Sequence, residues 1–137
     1  MKKTGWILFV VFSIVVGIYP LIYFIIDRKF GLLGTKSNTL LADIFWNTAF
    51  YIHIVLGGIA LLIGWIQFNT VFRNRNLAWH KTIGKTYIVC VLLSSIAGLY
   101  IAFYATGGWV ATLAFFILDI IWFYTTLTAF TSIKKGN

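Results

Sequence analysis

His53 and Asp119 are the two side chains whose chemistry most needs an explanation, because both stand inside long apolar runs. The chain is 61% hydrophobic and 10% charged, so these runs predict helices that span a membrane. An ionisable group in hydrocarbon is costly, usually faces other helices, and often marks a functional site. The two residues therefore indicate a polar site inside the membrane.

His53 and Asp119 are predicted to lie at nearly the same depth in the membrane. Counted from one side, His53 lies about nine and Asp119 about ten residues into their helices, so at ~1.5 Å per residue their depths agree within ~2–4 Å. An unpaired carboxylate at this depth should pair or stay protonated. We therefore expect Asp119 to face the interior as a partner of His53. The alternative is a protonated Asp119 bonded to a backbone carbonyl, or to Ser94 or Ser95.

Four apolar runs must position these groups, and each is close to the ~20 residues that a bilayer core requires. The predicted fold is all-α, an integral membrane four-helix bundle that forms a single transmembrane domain over residues 1–137. The predicted helices cover about residues 5–26, 44–68, 84–105 and 109–132, with an outer loop at 27–43 and a basic inner loop at 69–83.

The distribution of lysine and arginine predicts the orientation of the bundle. Eight basic residues fall on the side of the two termini, namely Lys2, Lys3, Arg73, Arg75, Lys81, Lys85, Lys134 and Lys135. The other side holds Arg28, Lys29 and Lys36. The positive-inside rule then places both termini in the cytoplasm. The net charge of +8 could suggest nucleic acid, but the basic residues abut apolar runs. We therefore expect them to contact the lipid bilayer, and we expect no binding of nucleic acid.

Small residues share helix faces with polar ones. One face of the second helix holds residues spaced alternately four and three apart, which are His53, Gly57, Ala60, Gly64 and Gln67. A similar face of the third helix includes Gly98. Such faces let two backbones approach closely, so we expect Gly57, Gly64 and Gly98 to form a packing seam. The same face is also suited to line a polar cavity, with His53 and Gln67 as its chemical groups.

His80 and Lys81, in the basic inner loop, are further binding candidates. Both side chains are suited to hold a phosphate, a lipid headgroup or a quinone carbonyl. The alternative is a charged loop that only touches anionic headgroups.

Histidines in membrane helices also suggest haem b, which two imidazoles can hold. The predicted depths of His53 and His80 differ by ~20–25 Å at ~1.5 Å per residue, which excludes one haem held by both within a single chain. A haem shared by two copies, or ligated by a partner, stays open.

No other metal site is expected, and the lone Cys90 gives no disulfide framework. With three carboxylates and no hydrolytic motif, the sequence leans against an enzyme, and we assign no catalytic residue.

Four stretches carry a resemblance to a known family. They are His53 with "GGIALLIGWIQF" (57–68), "WHKTIGKTY" (79–87), "AGLYIAFYATGG" (97–108) and "WFYTTLTAF" (122–130). Over about residues 50–131 the chain resembles the bacterial predicted membrane proteins called domain of unknown function 2306. The resemblance implies a bacterial cytoplasmic membrane protein, but no reaction. The matching positions are His53, Gln67, His80, Gly84, Tyr87, Gly98, Gly107 and Gly108.

The chain also departs from the family pattern in two ways. The pattern continues past the fourth helix into further helices that this chain lacks, which suggests a natural short form, a truncation or a fragment. The partners we expect are a second copy in a homodimer, or a protein that supplies the missing C-terminal helices. Asp119 stands where members usually carry a small apolar residue, so a role for Asp119 is not inherited.

Two hypotheses for function follow. The first is a small multi-pass membrane protein whose polar site around His53 binds or moves a small species. The alternative is a membrane redox protein that carries haem or quinone.

Overall fold

The computed structural model of this chain describes residues 3–27 and 29–135. Within these residues the structure is helical and contains no strand. Its α-helices are α1 (Lys3–Ile18), α2 (Ile22–Ile25), α3 (Asn38–Ala42), α4 (Ile44–Gly64), α5 (Thr70–Arg75), α6 (Leu77–Ala102) and α7 (Gly108–Lys135). Short 3-10 turns cover Tyr19–Leu21, Leu33–Thr35 and Trp65–Phe68.

Four helical stretches in the described part of the chain are long and apolar enough to cross a membrane. They are Lys3–Ile25, Ile44–Phe68, Leu77–Ala102 and Gly108–Lys134. The prediction of an all-α membrane protein with four spans is therefore confirmed. Lys2 and Arg28, which entered the charge count, lie outside the described residues, and the side on which the termini lie stays a prediction.

The first span changes helix type at Pro20. The α-helix gives way to the turn Tyr19–Leu21 and resumes as α2. Proline lacks the N–H that an α-helix needs at its interior positions, so the ladder of backbone hydrogen bonds is interrupted here.

The third span begins seven residues earlier than the apolar run predicts, at Leu77 instead of about residue 84. Part of the expected inner loop also forms the short helix α5, whose N-terminus is capped by Asn69 Oδ1 accepting from Phe72 N at 2.9 Å. An apolar run locates the hydrocarbon core, whereas a helix continues beyond it wherever long side chains reach the polar interface. The loop expected at 69–83 is thus mostly helical.

α4 and α6 form the antiparallel centre of the bundle. α1 packs against α4, and α7 packs against α6. α6 is the most enclosed span, with buried residues along one side that are Cys90, Val91, Ser94, Ser95, Ala97, Gly98 and Ala102. One apolar cluster joins Ala60 of α4 to Cys90 and Val91 of α6.

Glycines bring the central helices close together. A Cβ on Gly57 would lie 3.1 Å from Ser94 Oγ, and one on Gly64 would lie 2.9 Å from the ring of Tyr87. Both glycines of α4 therefore face α6, on the side where the sequence predicts a seam.

A second close approach joins α1 to α4. A Cβ on Gly58 would lie 2.8 Å from the carbonyl oxygen of Gly17 and 3.2 Å from Pro20 Cγ. Because the nearest atom belongs to backbone, it has little room to move away.

Residues 29–43, hereafter the connecting segment, fold over one end of the bundle. Leu33 is 2% exposed and packs with Trp46 and Phe50 of α4. Lys36 Nζ donates to the carbonyl oxygen of Tyr104 and, at 2.8 Å, to Thr106 Oγ1. The segment is thereby tied to the turn between α6 and α7.

Candidate functional site

A cavity of about 330 Å³ lies beneath the connecting segment. The end of the first span, the connecting segment, α4, α6 and α7 all contribute to its wall. The polar and charged residues that line it are Tyr19, Tyr23, Lys36, His53, Thr106 and Asp119. We call it the His53 cavity.

His53 is fixed to α6 by two hydrogen bonds at the same level. Its Nδ1 lies 2.9 Å from the carbonyl oxygen of Ser94, and Ser94 Oγ donates to the carbonyl oxygen of His53 at 2.9 Å. A carbonyl oxygen only accepts, so Nδ1 must carry the proton of that bond. In the neutral ring Nε2 is then the remaining acceptor.

Asp119 is 7% exposed and lines the same cavity. A Cβ on Gly98 would lie 2.8 Å from Asp119 Cγ and 2.7 Å from His53 Nδ1. His53 and Asp119 are thus neighbours across the space that Gly98 leaves open. Ser95 Oγ is buried without a hydrogen-bond partner among the described residues.

Lys36 and Trp46 are cavity residues that sequence reasoning did not single out as site residues. Trp46 is 1% exposed, and its Nε1 has no hydrogen-bond partner in the described part of the chain. Burial lowers the pKa of the Lys36 ammonium, because desolvation disfavours its charge. Trp46 and Phe50 extend the four-and-three spacing that leads to His53, and this signal could have identified them. No periodic pattern marks Lys36, which lies in a connection.

Aromatic rings form much of the cavity wall. The rings of Trp46 and Phe50 are stacked, with centroids 5.2 Å apart, and Tyr23 meets Phe50 edge to face at 5.5 Å. Tyr19 contributes from the first span and Phe115 from α7. The cavity therefore combines a mostly apolar wall, which includes several aromatic rings, with an imidazole and a carboxyl group.

The other candidates lie at the opposite end of the bundle. Gln67 Nε2 donates to the carbonyl oxygen of His80 at 3.4 Å, while Lys81 is exposed. His80 Nδ1 is buried without a hydrogen-bond partner among the described residues. Ser94, which holds His53, lies fourteen residues beyond His80 on α6, roughly 20 Å away at ~1.5 Å per residue. The candidate residues therefore form two separate groups.

The described residues contain no cluster of side chains suited to bind a metal ion. Within residues 3–27 and 29–135, no three His, Cys, Asp or Glu side chains are grouped to hold a metal ion. The separation of His53 from His80 also prevents one haem from reaching both within a chain.

These features define a small helical membrane protein with a polar cavity between its spans. Residues 50–137 match the family model DUF2306, described as a predicted membrane protein. The match covers more than half of the chain, so this protein belongs to the DUF2306 family. No curated protein and no solved structure matches it.

Proposed function

We propose that this membrane protein binds a small molecule in the His53 cavity, with His53 and Asp119 as the polar groups that contact it. The observation that carries the proposal is the Asp119 carboxyl group, which is buried, lines the cavity and lies beside His53. Buried polar groups are normally hydrogen-bonded, and carboxyl groups at membrane depth are expensive. A molecule bound in the cavity would give this carboxyl group a hydrogen-bond partner.

Size and wall chemistry support the same interpretation. Small-molecule sites usually have volumes of about 300–1,000 Å³ and mostly apolar walls with a few placed polar groups. The cavity, at about 330 Å³, falls at the lower end of this range. Its occupant is therefore a compact molecule with an apolar body.

A panel of small aromatic compounds tests the proposal. Cationic, neutral and anionic members are added to the purified protein in detergent, and thermal stability is recorded. We expect at least one class to raise Tm, because a ligand that binds only the folded state stabilises it. The rise should disappear in Asp119→Asn and His53→Ala.

Thr125→Val is the matched control, since Thr125 is exposed and its hydroxyl donates to Ile121 O of its own helix at 2.8 Å. This variant should keep the response of the parent protein. If no class stabilises the protein, or if Asp119→Asn responds as the parent does, the cavity is a water-filled packing gap and the proposal is wrong.

The aromatic wall favours one second candidate, a redox protein that holds a quinone ring against Trp46 and Phe50. Haem shared between two copies belongs to the same class, with His53 as the axial ligand. A reduced-minus-oxidised optical spectrum of the purified protein would show the intense band of haem if haem is bound. A bound quinone would instead be recovered from the protein by solvent extraction.

The location we propose is the bacterial cytoplasmic membrane with both termini inside. The excess of basic residues near the termini supports this orientation. In it, the His53 cavity lies in the outer half of the bilayer.

A further inference from the structure

We propose that the molecule bound in the His53 cavity is a small protonated amine with an apolar or aromatic body, and that it replaces a proton held by Asp119. This inference rests on the proposed function, since it names the chemical class of ligand for the same cavity.

The Asp119 carboxyl group, which meets His53 Nδ1 at Gly98, and the second ring nitrogen of His53 are the hydrogen-bond acceptors of this site. His53 Nδ1 is committed to the Ser94 carbonyl oxygen, which leaves Nε2 of the neutral ring as a lone pair. An ionised Asp119 carboxylate adds two acceptor oxygens. A ligand that satisfies both groups must therefore bring N–H or O–H donors, and an ammonium group brings several.

The wall around this pair also favours a cation. Aromatic rings enter from three elements, with Tyr19 and Tyr23 on the first span, Phe50 on α4 and Phe115 on α7. The faces of such rings carry negative potential, which attracts organic cations and repels anions. A carboxylate next to several rings is thus complementary to an amine.

Charge balance requires a proton to leave when the amine arrives. In the empty cavity, where Lys36 is bonded to Tyr104 and Thr106, Asp119 avoids the cost of an unpaired charge at membrane depth by keeping its proton. The entering ammonium pairs with the carboxylate, so the O–H bond of Asp119 breaks and the proton passes to solvent. One proton is released for each amine bound, and binding becomes tighter as pH rises.

The other ionisable groups that face Asp119 within the cavity are few. His53 comes from α4, Tyr19 and Tyr23 from the first span, and Lys36 from the connecting segment. The described residues that α6 contributes to this wall carry no titratable side chain. Lys36 is held by Tyr104 and Thr106 at the turn that follows α6, beyond the level of Gly98, so the amine end is left to Asp119.

Three compounds of nearly equal shape test the inference. These are 2-phenylethylamine, 2-phenylethanol and phenylacetate, which differ in charge at one end. Calorimetric titration of the detergent-solubilised chain should show that the amine binds best. Its affinity should rise up to about tenfold per pH unit until Asp119 ionises in the empty protein, as expected for exchange with one proton.

Titration in two buffers of different ionisation enthalpy counts the released protons, and we expect about one per amine. Asp119→Asn should lose this proton release and weaken amine binding at least about tenfold, the loss of one charge-assisted hydrogen bond. The proton count needs only the unmodified chain, so the test holds even if the variant does not fold. Thr125→Val should behave as the parent.

The remaining outcomes separate this inference from the proposed function. Equal binding of the alcohol without proton release would show a neutral ligand, such as a quinone, and would overturn the amine while keeping the cavity as a binding site. Preferred binding of phenylacetate, lost in Lys36→Gln, would overturn it in favour of an anion. If none of the three binds but another compound of the stability panel does, the amine inference is wrong and the proposed binding site stands. If no compound binds, the amine inference and the proposed function are both wrong.

Discussion

Gly98 is the residue that allows His53 and Asp119 to meet. Any side chain at this position would occupy the space between the imidazole and the carboxyl group. Ser94 then fixes the ring through its carbonyl oxygen. The polar pair is thus defined by three residues of α6 and α4 and completed by one of α7.

A double-mutant cycle measures whether the two side chains act together. We expect His53→Ala and Asp119→Ala to be non-additive in thermal unfolding, with a coupling energy of ~0.5–3 kcal/mol, as is typical of neighbouring residues. The control cycle combines His53→Ala with Thr125→Ala, which should be additive. Additivity in the first cycle would contradict the pairing.

The level of this pair could be predicted from sequence because helix rise converts residue counts into depth. The contribution of Lys36 could not, since it depends on how the connecting segment folds back over 70 residues of sequence to Thr106. The orientation of Trp46 towards the cavity follows from a helix face, but its buried Nε1 is visible only in the structure.

At the scale of helices, two glycine contacts hold three spans together. Gly57 and Gly64 let α4 approach α6, and Gly58 faces Gly17 of α1 from the adjacent position on α4. Sequence reasoning detected the first contact through the regular spacing of small residues. It missed the second, because nothing in the sequence says which neighbour Gly17 meets.

Substitutions at glycines distinguish these contacts from lipid-facing positions. Gly58→Ala would place a Cβ 2.8 Å from the Gly17 carbonyl oxygen, so we expect a loss of about 1–3 kcal/mol. Gly64→Leu should cost a similar amount of about 1–3 kcal/mol against Tyr87. Gly5→Ala is the control, because nothing lies within 4 Å of its Cβ position. The measurement is thermal unfolding in detergent, and equal stability of all three variants would show that these faces do not pack.

The sequence predicts where each helix crosses the hydrocarbon core, but it does not predict where a helix ends outside the core. The apolar runs locate all four spans, but α6 begins at Leu77, seven residues ahead of its run. Residues such as His80 and Lys81 continue the helix where water begins, and an analysis of hydrophobicity counts them as loop.

At the scale of the whole molecule, the arrangement of spans determines where the cavity can be reached. α1 packs on α4 and α7 packs on α6, while the cavity takes its wall from all four spans and the connecting segment. The connecting segment covers the end that faces away from the termini. The sidedness of the protein therefore decides whether a ligand arrives from the cytoplasm or from the other side.

Cysteine labelling in intact cells settles this sidedness. In a Cys90→Ser background, Asn38→Cys should react with a membrane-impermeant thiol reagent added outside, because Asn38 is exposed in the connecting segment. Lys81→Cys, exposed at the opposite end, should react only after the cells are permeabilised. The reverse pattern would place the termini outside and turn the cavity towards the cytoplasm.

The tie between Lys36 and Thr106 also constrains how the protein is made. The two residues are 70 positions apart, and a ribosome adds only ~5–20 residues per second, so Lys36 is synthesised seconds before Thr106 exists. During that interval the Lys36 ammonium has none of its later acceptors. The connecting segment is therefore synthesised before the residues that hold it over the cavity.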